Sequence, residues 1–182
     1  MARVMIREQI EPIIRRHAFS DYRWLDPASI LVAEWVRIKC QFGCPHFGKA
    51  AACPPNTPGV ETCRRFFSEY QHALIFHFQV AEAGTSARHA WSARTNQALV
   101  ALERDVFLAG CPKAFALFTD ACHLCDECAA ERSDCKQPAL ARPSATGLAV
   151  DVFGTARGFG FSIEVLTAPE SPVDYFAFLM VG

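Results

Sequence analysis

Three cysteines at two-residue intervals, Cys122-His-Leu-Cys125-Asp-Glu-Cys128, constrain this chain more than any other feature. A backbone that presents a thiol at every third residue must curl so that its sulfurs share one concave side. That is the arrangement that grips a soft metal or an iron–sulfur cluster. A fourth thiol, Cys135, follows after a polar stretch. Upstream lies a second set, Cys40, Cys44 and Cys53, the last directly before Pro54 and Pro55, with Cys63 ten positions on. Segments 40–63 and 122–135 thus hold eight of the nine cysteines. Nine is odd, so complete internal disulfide pairing is excluded.

A chain of 182 residues is long enough to bury a core without covalent staples, and disulfides are not needed to explain the thiols. Hydrophobic residues make up 51% and the formal net charge is −1, which argues for a folded protein with no nucleic-acid partner. No apolar run reaches the length of a membrane span. The first ten residues place Arg3, Arg7 and Glu8 among their apolar positions and carry no small-residue cleavage site, so they do not read as a signal peptide. The expectation is a cytoplasmic protein, where clustered thiols signal metal or redox chemistry.

Along the chain, Val4, Ile10, Ile13, Ile14 and His17 recur at helical spacing, with Pro12 marking a start or restart. Residues 30–38 read as a strand running into the first cysteine set, and four prolines and three glycines make 43–59 a loop. A short helix is expected at 60–70. Leu74, Phe76, Phe78 and Val80 share one face of a strand. A helix follows from Ser86 to Gly110 with Trp91, Ala98, Leu102 and Val106 at helical steps. Lys113–Thr119 is apolar on both faces, as in a covered central strand, and the second cysteine set hangs off its end. Pro143-Ser144 opens another helix ending at Gly158, and strands at Phe161–Leu166 and Tyr175–Val181 close the chain. Strand and helix alternation implies one α/β domain over residues 1–182. Its expected architecture is a mostly parallel sheet flanked by helices, with two cysteine-rich metal-binding loops.

For the second set, Cys122, Cys125 and Cys128 match three corners of a 4Fe-4S cubane. The fourth ligand is Cys135 or, because it precedes a proline, Cys53. The alternative is a tetrathiolate zinc site on Cys122, Cys125, Cys128 and Cys135, although zinc sites more often use two separated CxxC knuckles. Cys40, Cys44 and Cys53 form a looser set that could seat a second cluster, with Cys63 as fourth ligand or an ordinary buried thiol. Cys111, between Gly110 and Pro112, reads as structural. His46 and His123 read as donors behind the ligands, and His77, among phenylalanines, as a satisfied core residue. Arg37, Lys39, Arg64, Arg65, Arg132, Lys136 and Arg142 crowd both segments, where cations would stabilise an anionic cluster or form a solvated rim. Gly154, Gly158 and Gly160 do not have the context of a phosphate-binding loop.

Val36-Arg-Ile-Lys-Cys40-Gln-Phe-Gly-Cys44, Cys53-Pro-Pro, Phe107-Leu-Ala-Gly, the CxxCxxC motif and Ala141-Arg-Pro-Ser144 resemble a cysteine-rich family of unknown function, common in anaerobic prokaryotes and regarded as metal-binding. The resemblance spans about residues 30–167. It implies metal binding by these cysteines, with iron–sulfur as the cofactor class, and brings no established reaction. Three functions remain open. One is an electron carrier or redox accessory subunit with one or two 4Fe-4S clusters and a redox partner protein. The second is a cluster-dependent reductase, in which a site with three thiolates leaves one iron open to substrate. The third is a zinc-stabilised interaction module.

Overall fold

A computed structural model describes residues 2–81, 84–165 and 171–182. Its elements run α1 (Ala2–Arg16), β1 (Tyr22–Leu25), α2 (Glu34–Gly43), α3 (Val60–Ser68), β2 (His72–Val80), α4 (Thr85–Leu108), β3 (Phe115–Leu117), α5 (Val152–Gly158) and β4 (Val173–Val181). Short 3₁₀ turns occur at Pro27–Ser29, Arg132–Asp134 and Thr146–Leu148.

Among the described residues the four strands form one sheet in the order β1-β2-β4-β3, and every pairing in it is antiparallel. This corrects the expectation of a mostly parallel sheet. β2 and β3 do point the same way, as a strand–helix–strand crossover demands, but they are not neighbours. β4 inserts between them, antiparallel to both, pairing along its whole length with β2 from His72↔Val181 to Val80↔Val173. Continuous apolar strands read as parallel because that is the usual reason for a sheet to be covered on both faces. Here helices and loops cover both faces of an antiparallel sheet.

On one face Leu74, Phe76, Ala177, Leu179 and Ala116 pack under α1 and α4 through Ile10, Ile14, Leu99, Leu102 and Val106, all of them fully buried. On the other, Ile75, Phe178, Met180 and Leu117 meet Cys63 and Phe67 of α3, Ala156 of α5, and the loop residues Leu148, Val150, Phe161 and Ile163. Alternation along β2 and β4 sends successive side chains into these two layers.

Five local expectations change. The helix expected to open at Pro143-Ser144 is confined to α5, which Asp151 caps by accepting from Gly154 N at 2.9 Å. Lys113–Thr119, expected as a central strand, contributes the short edge strand β3. α1 runs through Pro12 instead of restarting there. Proline costs one helical hydrogen bond, and burial of Ile10, Ile13 and Ile14 outweighs that loss. The expected strand at 30–38 is replaced by α2, in which Val36 is buried while Trp35, Ile38 and Phe42 face solvent. The helical turn lets Arg37 donate to the carbonyls of Pro58 and Gly147, both at 3.0 Å. Phe161–Val165 is irregular, with Ile163 O accepting from Arg157, and Leu166 of that expected strand lies outside the described residues. Both edges of β4 are already occupied, by β2 and β3.

His77 on β2 has its two ring nitrogens 2.6 Å from Asp21 Oδ2 and 2.8 Å from Asp174 Oδ1, and its ring stacks on Phe176. Burial would lower its pKa, but the hydrogen bonds to Asp174 and Asp21, with their charges, outweigh burial and raise it above the ordinary value. A folded-state pKa raised in this way stabilises the protein fully below pH 6.5, and the contribution is lost as pH rises through the folded value. Denaturant midpoints measured from about pH 5.5 to about pH 8.5 are expected to fall with pH more steeply for the wild type than for His77→Phe. Parallel curves would show that protonation of His77 contributes nothing to the pH dependence of stability.

Candidate metal centre

Cys40 and Cys44 are one helical turn apart at the end of α2, and Cys44 N donates to Cys40 O at 3.1 Å. Their thiols face each other. The Cys40 thiol is raised by burial first and then by the charge and hydrogen bond of Cys44, while Arg37 opposes the rise. The chain then turns back on itself, with Gly48 in the left-handed region (φ 68°) and its N–H donating to Pro54 O at 2.9 Å. This return buries Ala50, Ala51, Ala52 and Cys53.

The second segment leaves β3 and is held by the flank of α4. Asn96, completely buried, donates to the carbonyls of Ala121 and Cys122 and accepts from Thr119 N and its hydroxyl, at 3.2–3.3 Å. Within the loop Gln137 donates to Leu124 O at 3.0 Å and Arg132 to Pro138 O at 2.9 Å. His123 sits in the left-handed region at φ 50°, which turns the chain between Cys122 and Cys125. The loop ends at Arg142, whose guanidinium forks onto Glu103 of α4 at 2.6 Å and 2.9 Å.

The two cysteine segments face each other. Asn56 of the first donates to Ala130 O of the second at 2.6 Å and to Ala50 O of its own loop at 3.2 Å. Burial pushes the Cys53 thiol up to about 12, reinforced by the charges of Cys44 and Cys40 from its own loop and of Cys128 and Cys122 from the opposite one. The Cys122 thiol is raised mainly by burial and also by the charges of Cys128, Cys135 and Cys125. Between the loops lies a cavity of about 290 Å³, walled by Cys122, Cys125, Cys128 and Cys135 on one side and by His46 and Ala50, Ala51 and Ala52 on the other. Among the described residues no three His, Cys, Asp or Glu side chains are disposed to hold a metal ion as they stand. The thiols are gathered on facing loops, and ligation would draw them together. A wall of thiols fits a soft metal or cluster and fits a hard oxygen-preferring cation poorly.

Cys63 stands elsewhere. It is buried in the core beneath α3, its thiol lies 3.5 Å from Pro58 O, and the neighbouring charge that it feels is Arg37, not another cysteine. Cys111 is buried against α1 and α4, and burial alone raises its thiol. Of the seven cations named from sequence, Lys136 lines the cavity, Arg37 lowers the Cys40 thiol, and Arg142 is taken by Glu103.

Residues outside the cysteine segments complete the site and were missed from sequence. His89 of α4 stacks on His123 with ring centroids 4.1 Å apart, and His46 lies edge-on to both at 5.9 Å and 6.4 Å. The His89 pKa is lowered by burial first, then by its two imidazole neighbours, against the opposing charge of Asp120. Asp120 Oδ1 is 3.4 Å from His123 Nε2, yet it is buried with no aligned hydrogen-bond partner among the described residues. A signal was present: His89, Asn96 and Glu103 recur every seven residues, a polar stripe inside a helix otherwise read by its apolar face.

Helices, a covered antiparallel sheet and two loops that gather thiols make an α+β domain, and no helix among the described residues is long and apolar enough to cross a membrane. The chain belongs to the family described as predicted metal-binding protein, DUF2284, whose match covers residues 23–181. No curated protein and no solved structure matches it.

Asn96→Ala should leave buried backbone groups at 119–122 unsatisfied, at a cost of about 2–3 kcal/mol, or roughly 5–10 °C in Tm. Alkylation of Cys122 should accelerate in that variant. Unchanged melting and unchanged Cys122 reactivity would show that the loop is not held from α4.

Proposed function

We propose that this metal-binding protein is an iron–sulfur electron carrier or redox accessory subunit whose two cysteine loops bind 4Fe-4S clusters side by side. One observation carries the reading: Cys53 stands in electrostatic reach of Cys40 and Cys44 on its own loop and of Cys122 and Cys128 across the cavity. Seven thiols on two facing loops exceed the four that a single zinc ion uses. They suit a cluster on Cys122, Cys125, Cys128 and Cys135 and a second on Cys40, Cys44 and Cys53. Cys63, turned into the core, is left out of the ligand set. The chemistry supplied by such centres is one-electron transfer. The chain's own residues bury Cys53 and partly enclose the other thiols except Cys128, close the loops by side-chain to backbone hydrogen bonds, and place Arg37 and Lys136 beside the anionic centre.

An electron carrier needs a redox partner protein. Trp35, Ile38 and Phe42 expose an apolar stripe on the helix that ends in Cys40 and Cys44, and contact there would bring a partner within a turn of the thiols. The three-thiolate set also supports a second reading, a cluster-dependent reductase with an iron open to substrate.

Anaerobically purified protein is expected to be brown and to contain iron with matching acid-labile sulfide. Colourless protein with stoichiometric zinc and no sulfide after anaerobic reconstitution would overturn the proposal. Cys125→Ser and Cys128→Ser should each lose metal and stability together, whereas Cys111→Ser should keep its iron. Replacing Cys40, Cys44 and Cys53 together by alanine should about halve the iron. Full retention in that triple variant would remove the first segment from the site.

A further inference from the structure

The three imidazoles around the cavity come from three different places in the chain. His46 lies two residues beyond Cys44, His123 directly follows Cys122, and His89 belongs to neither loop. His89 is on the first exposed turns of α4, seven residues before Asn96 and fourteen before Glu103. The latter two are fixed, Asn96 to the backbone of 119–122 and Glu103 to Ala116 N at 2.7 Å and to Arg142. Seven residues are close to two helical turns, so all three side chains leave α4 on the same side. His89 is therefore carried by a rigid rod whose rotation two buried anchors already set.

From that rod its ring stacks on His123 at 4.1 Å with an interplanar angle of 22°. It meets His46 at 6.4 Å and 64°, and His46 in turn sits at 84° to His123. Two contacts thus reach His46, two residues beyond Cys44, and His123, directly after Cys122. Among the described residues the loops are also tied by the bond from Asn56 to Ala130 O. We propose that His89 is a positioning residue: its ring, fixed on α4 in line with Asn96 and Glu103, clasps His46 and His123 and so sets the first cysteine loop against the second. The role rests on the reading of those loops as the metal-binding site, and it requires the ring without requiring a nitrogen to bind metal.

The test uses the full-length chain in two states. Metal-free protein is oxidised with diamide, which takes two electrons and two protons from a pair of thiols, and the resulting disulfides are mapped by mass spectrometry. In the wild type, pairs joining Cys53 to Cys122 or Cys128 are expected. His89→Ala should reduce them about tenfold in favour of pairs within a loop, since two aromatic contacts are lost. His89→Leu, which fills the space without a stacking ring, should resemble alanine and carries the comparison if the alanine variant does not fold. His89→Phe should restore the wild-type pattern. Protein purified anaerobically should show the same order, with metal content and cluster spectrum retained in the phenylalanine variant and reduced in the other two.

Unchanged disulfide patterns in His89→Leu would overturn the proposal. So would a phenylalanine variant that keeps the cross-loop disulfides yet loses its metal, because the ring would then be a ligand. If the wild type binds no metal but its disulfides follow the expected order, the metal reading fails and the positioning role stands.

Discussion

Glu103 is a carboxylate buried in the middle of the molecule, and the placement of the cysteine loops depends on satisfying it. An unpaired buried carboxylate would cost several kcal/mol or take up a proton. Here it accepts from Ala116 N of β3 at 2.7 Å and from the Arg142 guanidinium through two nitrogens. One side chain of α4 thereby fixes the strand from which the second cysteine loop departs and the residue at which it returns. Phe118 N donates to Pro143 O at 2.9 Å and closes the mouth of the same loop. With its ends pinned, the excursion from 119 to 142 adds only a small further closure entropy.

Neither cysteine loop has a core of its own. Cys128, Arg132, Lys136 and Leu140 are exposed, and the second loop's internal order rests on side chains reaching backbone carbonyls, as Gln137 and Arg132 do. Gathering thiols works against ionisation at the two most enclosed of them: burial first, and then the charges of neighbouring cysteines, raise the Cys122 thiol and push that of Cys53 up to about 12. The Cys53 thiol therefore keeps its proton at neutral pH, and ligation must displace it. Metal affinity, proton release and loop order are then one equilibrium.

How much of this was legible in the sequence varied with how local the determining physics was. The cysteine sets were visible from spacing alone, and α3, α4, β2 and β4 fall near where periodicity put them, whereas α5 starts at Val152 under an Asp151 cap and not at Pro143-Ser144. α2 was misread as a strand because its apolar residues, Trp35, Ile38 and Phe42, do not face the core that periodicity assumes. The sheet was misread because strand order is a long-range property: nothing in the residues of β4 announces that it will enter between β2 and β3. His89 was passed over for the same reason. Its partners are 43 and 34 positions away, and only the seven-residue repeat with Asn96 and Glu103 hinted that α4 has a second, polar duty.

That repeat explains why one long helix can serve both the core and the site. Leu99, Leu102 and Val106 bury against the sheet, while His89, Asn96 and Glu103 leave the same helix toward the segment that carries Cys122 to Cys135. A shift of α4 against the sheet would move all three polar contacts together, so packing on one face fixes geometry on the other. Among the described residues the first cysteine loop meets α4 through His46, whose ring lies edge-on to His89. It is also held from the opposite layer, where Arg37 and Thr57 both donate to Gly147 O and Arg37 also reaches Pro58 O. The two walls of the cavity are thus built from different faces of the sheet and meet only at the loops. Their separation is set where the histidines and the Asn56 to Ala130 bond join them, and thiols from both layers come together at that seam.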